Sequence, residues 1–208
     1  PDWEAPPLVA AAATTRAGGV STGPFAECNL GAHVGDDPAA VAENRRRLAE
    51  ALALPGEPTW LAQVHGTRVV EASSGGPPAE ADAAVTRQPG VVCAVLTADC
   101  LPVLLASPRG DEVAAVHAGW RGLADGIIAA ALEAMTTQPE ELLAWLGPAI
   151  AQPAFEVGDE VRERFIRRDV VNAAFFAPND RDRWQADLTG LARRELEAAG
   201  VTVTGGGF

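Results

Sequence analysis

Two histidines and one cysteine of this chain sit in short segments, each beside a glycine or a turn. These segments are Gln63-Val64-His65-Gly66, Thr97-Ala98-Asp99-Cys100 and His117-Ala118-Gly119-Trp120-Arg121-Gly122. The chain holds only three histidines and three cysteines in all, so three of those six residues fall in segments of this one kind. Imidazole and thiolate are donors for zinc and copper, and three protein ligands leave one coordination position open for substrate. The steps from 65 to 100 and from 100 to 117 match no local metal-binding spacing, so core or surface histidines remain the competing reading at this point. Asp99 beside Cys100 opposes thiol ionisation by like-charge repulsion, a difficulty that metal coordination removes. Asp99 and Asp82 are the carboxylates nearest by motif for proton transfer. Asp99 is also a candidate to orient a ligand imidazole from behind. Cys93, among Val91, Val92, Ala94 and Val95, reads as an inert core residue, and His33 as a hydrogen-bonded or exposed loop histidine.

The elements that must position these residues alternate between strand and helix. Residues 8–14 read as a first strand and 16–30 as a Gly, Ser and Pro-rich loop. A helix follows, with Asp36 and Asp37 as cap candidates, Pro38 in the first turn and Pro55-Gly56 as its stop. Val41, Leu48 and Leu52 share one face of it, and Asn44 with Arg45 fall on the same face. A polar pair there must be hydrogen-bonded internally or look into a cavity. Residues 59–65 and 67–72 read as strands around Gly66, and 73–81 as a linker-like loop. The apolar runs 91–98 and 101–106 read as strands buried on both faces. Residues 112–117 and 142–146 give further strands; 122–135, 158–168 and 187–199 give helices, the last between Asp187 and Gly200. Strand pairs joined by short turns favour a mixed-sheet α/β (α+β) domain over a purely parallel one.

Composition narrows the function. With 208 residues and 48% hydrophobic residues the chain can bury a real core as one domain. A net charge of −12 argues against a nucleic-acid partner. No apolar run is long enough to span a bilayer, and no signal-peptide pattern opens the chain. An odd cysteine count without CxxC favours a reducing, cytoplasmic setting. There is no GxGxxG after a strand and no HExxH, and Gly205-Gly206-Gly207 precedes no helix, so phosphate-loop and zincin chemistry find no support.

Gln63–Gly66, Ala81-Asp82-Ala83, the run from Thr97 to Pro102, the run from His117 to Gly122, and Trp145 to Pro148 followed by Phe155-Glu156-Val157-Gly158 together resemble the YfiH family. That family is also called the polyphenol oxidase or laccase-domain family, a purine nucleoside phosphorylase family and peptidoglycan editing factor. The resemblance covers most of the chain. It implies an α-β-β-α layered single domain over 1–208, related to cysteine hydrolases. It implies that His65, Cys100 and His117 are zinc ligands, with copper able to take the same site. It further implies a cytosolic enzyme that cleaves adenosine, inosine and methylthioadenosine with phosphate and deaminates adenosine. Family members continue past the position of Phe208 into a Cys-Thr pair and a Ser-Tyr-Arg-Arg segment, a tail this chain does not include.

Phosphorolysis needs a cation to hold phosphate beneath C1′. Arg45 on the inward helix face and Arg121 beyond His117 are the candidates, against a loop-holding bond and a helix-start ion pair. Asn29 could fix a ribose hydroxyl or the base, or simply close an Asx-turn. The expected catalytic set is Cys100, His117 and Asp99. Three rivals stand beside this reading. Laccase-type copper chemistry fits one His₂Cys copper, but three histidines cannot build a trinuclear cluster. A cysteine hydrolase acting on peptidoglycan precursors would use Cys100 as nucleophile and His117 as base. A zinc-stabilised interaction module would need a fourth protein ligand. The expected partners are a small purine nucleoside and phosphate, and a monomer is slightly favoured.

Overall fold

The structure, a computed structural model, describes residues 3–73 and 77–208. Positions 74–76 of the expected linker loop lie outside the described residues. Helix α1 (Pro38–Ala51) starts as its sequence directs: the Asp37 carboxylate accepts the Ala39 N–H at 2.9 Å and Pro38 occupies the first turn. Short strands follow, β1 (Leu61–Ala62), β2 (Val69–Glu71), β3 (Ala79–Glu80) and β4 (Ala83–Thr86). Next come β5 (Leu101–Ala106) and β6 (Val113–Ala118), then α2 (Trp120–Asp125), α3 (Ile127–Ala134) and β7 (Leu143–Leu146). The chain continues through β8 (Glu156–Val157), α4 (Asp159–Arg168), β9 (Phe176–Pro178), β10 (Trp184–Ala186), α5 (Leu188–Ala198) and β11 (Thr202–Gly205).

The central sheet has six strands in the order β11-β7-β5-β6-β4-β2. Its middle is an antiparallel run from β7 to β4, and each outer strand, β11 and β2, pairs in parallel with its neighbour. The mixed α+β class expected from the short inter-strand turns is the class observed. The β5–β6 hairpin closes through Ser107, whose hydroxyl donates to Asp111 at 2.6 Å, while Gly110 takes a left-handed φ of 72°.

Side chains alternate across this sheet. Leu101, Val103 and Leu105 pair with Ala118, Val116 and Ala114 in one core with α2, α3 and α5. The alternate positions, Pro102 and His117 among them, face the other way. That second face carries a smaller apolar cluster of Leu61, Ala72, Ala81 and Ala84, backed by Val70, Val91, Cys93 and Val95. A two-stranded parallel pair, β1 with β3, forms part of this cover. A third small sheet, β8-β10-β9, lies between the last sheet strands in sequence.

Several expected elements differ. Residues 8–14 form no strand. The run 91–98 is irregular, and its backbone pairs with 59–65 through one parallel bridge, Thr59 to Cys93. It covers one side of the sheet instead of lying inside it, and the residues from Val91 to Leu96 are only half-buried. The single helix expected over 122–135 is broken at Gly126, where φ is 101°. Its N–H closes α2 onto Gly122 and Leu123, and the Arg168 guanidinium of α4 donates to the Leu123 carbonyl at 2.7 Å.

The polar pair on α1 resolves inward. Asn44 is fully buried; its amide donates to Ser21 Oγ and to the carbonyls of Glu27 and Asn29, and accepts the Val20 N–H at 2.8 Å. One side chain thus shapes the loop from Val20 to Asn29. Asn44→Ala is expected to destabilise the protein by about 1–3 kcal/mol, because buried donors and acceptors lose their partner. Urea unfolding measures this, and a change under about 0.5 kcal/mol would contradict the role.

Candidate metal centre

Three structural devices bring His65, Cys100 and His117 together. The first is register. Ala83 pairs with Val116, so Asp82 and His117 meet just beyond β4, and the His117 N–H donates to the Asp82 carbonyl at 2.7 Å. Leu101 pairs with Ala118, which places Cys100 at the same end of the hairpin. The second device is the Asp82 carboxylate, which is fully buried. It accepts the backbone N–H groups of Val64, His65 and Gly66 at 3.2, 2.9 and 2.7 Å. These amides turn inward because His65 takes a left-handed φ of 61°, a conformation uncommon outside glycine. The third is glycine. A Cβ on Gly119 would lie 2.9 Å from both Cys100 Sγ and His65 Cδ2, and one on Gly122 only 2.8 Å from the Gly66 carbonyl oxygen. No side chain fits there without displacing the ligand residues.

The outcome is one cluster. The ligand atoms of His65, Cys100 and His117 lie within 4.8 Å of one another. His65 Nε2 is 3.9 Å from Cys100 Sγ, and the two imidazole rings meet edge to face with centroids 4.8 Å apart. Zinc bond lengths at a tetrahedral centre require donor separations of about 3.3–3.6 Å, so a small inward shift suffices. The donor chemistry also fits. Both Asp82 oxygens accept backbone N–H groups, so its 2.8 Å contact with His117 Nδ1 is met by a proton on that nitrogen and leaves Nε2 free as a potential ligand. Burial lowers the His117 pKa below the usual imidazole value, against the hydrogen bond and charge of Asp82, and His65 lowers it further. His117 is therefore neutral at pH 7, as a ligand must be. Burial raises the Cys100 thiol pKa, Asp99 and Asp82 add to the rise, and Arg121 opposes it. A thiol shifted this way resists becoming a free nucleophile and would ionise only on a bound cation.

The remaining sequence candidates fall elsewhere. Asp99 is exposed, and its backbone carbonyl accepts from Ile150. The carboxylate hydrogen-bonded to a candidate ligand imidazole is Asp82, one motif away from where the sequence suggested. The sequence also offered Asp82, in Ala81-Asp82-Ala83, as a carboxylate for proton transfer, but nothing in it marks this orienting role. Asn29 closes an Asx-turn onto Gly31 and donates to Asp36 at 3.0 Å. Arg45 donates twice to the Leu30 carbonyl and lies 4.0 Å over the Trp60 ring. Arg121 is exposed with its guanidinium 4.6 Å from the Trp120 ring, and it makes no ion pair among the described residues. Burial pushes the Cys93 thiol up to about 12, in keeping with an inert residue. His33 is exposed and outside the cluster. No helix of the described residues is long and apolar enough to cross a membrane.

A mixed α+β sheet carrying two imidazoles and one thiol able to hold a metal ion is the class defined by fold and site. Residues 10–207 match the family described as multi-copper polyphenol oxidoreductase laccase. A Pseudomonas aeruginosa protein named purine nucleoside phosphorylase PA4543 is 52% identical over 210 residues, covering 100% of this chain and 86% of that protein. An Escherichia coli protein named purine nucleoside phosphorylase YfiH is 50% identical over 209 residues, covering 100% of this chain and 85% of that protein. Among solved structures, Neisseria meningitidis protein NMB0706 superposes with a TM-score of 0.89 at 46% identity, covering 93% of this chain and 80% of that one. The chain belongs to this YfiH, or laccase-domain, family.

Asp82→Asn keeps the size of the side chain but replaces one acceptor oxygen by a donor that faces N–H groups. Supporting residues of this kind contribute about 10–100-fold to metal affinity. Zinc affinity measured by chelator competition is expected to fall by that factor, and an unchanged affinity would contradict the assignment.

Proposed function

We propose that this protein is a zinc-dependent purine nucleoside phosphorylase, with adenosine deamination as a side activity. The observation that carries the reading is a cluster of three potential ligands, a donor count that leaves one coordination position for an exchangeable ligand. The names of relatives about 50% identical over the whole chain support it. Adenosine, inosine and methylthioadenosine are the proposed nucleosides, and inorganic phosphate is the second substrate. In phosphorolysis a phosphate oxygen bonds to C1′ as the glycosidic C–N bond breaks. The bond pair passes to the purine, which leaves with a proton.

Arg121 is the side chain best placed to hold phosphate near the cluster, since its guanidinium is exposed and lacks a carboxylate partner among the described residues. Asn29 and Arg45 act on this reading through the loop they brace, because their hydrogen bonds already serve Gly31, Asp36 and Leu30. His65, Cys100 and His117 would hold the metal, which when bound supplies Lewis acidity and an activated water for attack on the purine ring. Asp82 keeps the His117 proton on Nδ1 throughout. Asp99, exposed beside Cys100, is the proposed proton carrier in deamination.

Copper in the same position is the second reading, supported by the family's description. It is restricted to one ion, because His65, Cys100 and His117 form the one cluster of three or more potential ligands among the described residues. The cysteine-hydrolase reading is weakened by the raised Cys100 pKa.

Zinc-loaded protein incubated with adenosine is expected to release adenine only when phosphate is added, read by chromatography. Cys100→Ser is expected to abolish turnover with the fold intact by circular dichroism. Absence of base release from a metal-loaded site would overturn the reading.

A further inference from the structure

Gln63 opens the first of the three segments, yet it is not one of the potential metal ligands. Its amide makes a two-point contact with a single residue across the second face of the sheet. Nε2 donates to the Leu96 carbonyl at 2.8 Å, and Oε1 accepts the Leu96 N–H at 2.7 Å. This pairing also fixes the amide orientation, because a flipped amide would set donor against donor and acceptor against acceptor.

The contact sits where backbone pairing stops. The segments 59–65 and 92–100 run side by side in parallel, but their pairing is one isolated bridge between Thr59 and Cys93, with the Thr59 N–H donating to the Val92 carbonyl at 2.8 Å. Past Thr59 the first segment turns its ladder to β3 through Leu61 and Ala62. The second segment is left irregular up to Cys100. Gln63 therefore supplies from its side chain the two bonds that a sheet ladder would supply from the backbone. It does so two residues before His65 and four before Cys100, counting along the respective segments. The other two sides of the ligand triangle have their own ties: the Asp82 carboxylate joins the His65 turn to His117, and the β5–β6 ladder joins Cys100 to His117.

We infer that Gln63 is a positioning residue that sets the distance of the Cys100 thiolate from His65, and so controls the thiolate arm of the metal centre selectively. The inference rests on the metal-centre reading above. Gln63→Met keeps the length and removes both hydrogen bonds; Gln63→Glu keeps the acceptor and sets a carboxylate oxygen against the Leu96 carbonyl.

The test loads wild-type protein and both variants with Co²⁺ and records the thiolate-to-cobalt charge-transfer band alongside the affinity. Exchange of the Leu96 amide proton is followed by NMR in metal-free protein. The inference expects faster Leu96 exchange, a weakened charge-transfer band, and Co²⁺ affinity lower by about 10–100-fold. Thermal unfolding of the metal-free protein separates this from a general loss of structure, which would lower the midpoint without selectively weakening the band. A band and affinity matching wild type in both variants would overturn the inference while leaving the metal centre standing. Wild-type protein that takes up no Co²⁺ would overturn the metal-centre reading, and unchanged Leu96 exchange in the variants would then overturn the clamp by itself.

Discussion

One buried carboxylate organises the candidate site. Asp82 has no exposure to water, and its oxygens gather three consecutive backbone N–H groups and one imidazole N–H. A carboxylate in so dry a place is tolerable only when its lone pairs are met by donors. Those donors are the backbone of one ligand segment and the side chain of another. The same bonds that satisfy the charge therefore hold His65 in its left-handed turn and hold His117 in one tautomer. The local fold and the ligand chemistry are two consequences of a single electrostatic requirement.

The sheet supplies the rest. Antiparallel register fixes which residues of β4, β5 and β6 end together, so Asp82, Cys100 and His117 reach one rim although they are distant in sequence. Alternation sends Leu101, Val103, Val116 and Ala118 into the helix-covered core and leaves His117 on the opposite face. A one-residue slip of the hairpin would exchange those faces, so the packing of β5 and β6 against α2 and α3 also protects the position of His117. Gly119 and Gly122 then let the chain enter α2 against the ligand side chains without a clash.

Much of this was legible in the sequence, for identifiable reasons. The helix at 38–51 announced itself through Asp37, Pro38 and its apolar spacing, and β5 through an unbroken apolar run. The three candidate ligand residues stood out because histidine and cysteine are scarce here and each neighbours a turn. The inward-facing Asn44 was flagged as a polar residue in an apolar stripe, and its hydrogen bonds settle it. The run 91–98 misled because a continuous apolar segment has no period to show which face is covered, and here only one is. β11 was missed because Thr202–Gly205 is short and ends in glycine. That glycine lies 2.4 Å, at its would-be Cβ, from the Leu146 carbonyl oxygen, a constraint visible only once β7 is beside it. The role of Asp82 was equally hidden, since it depends on backbone N–H groups that carry no sequence signature.

X-ray absorption at the zinc edge of the metal-loaded protein tests the central claim most directly. The account predicts one sulfur and two imidazole nitrogens around the ion, with one further light donor that exchanges with added ligand. A shell lacking sulfur, or one closed by four protein side chains, would contradict it.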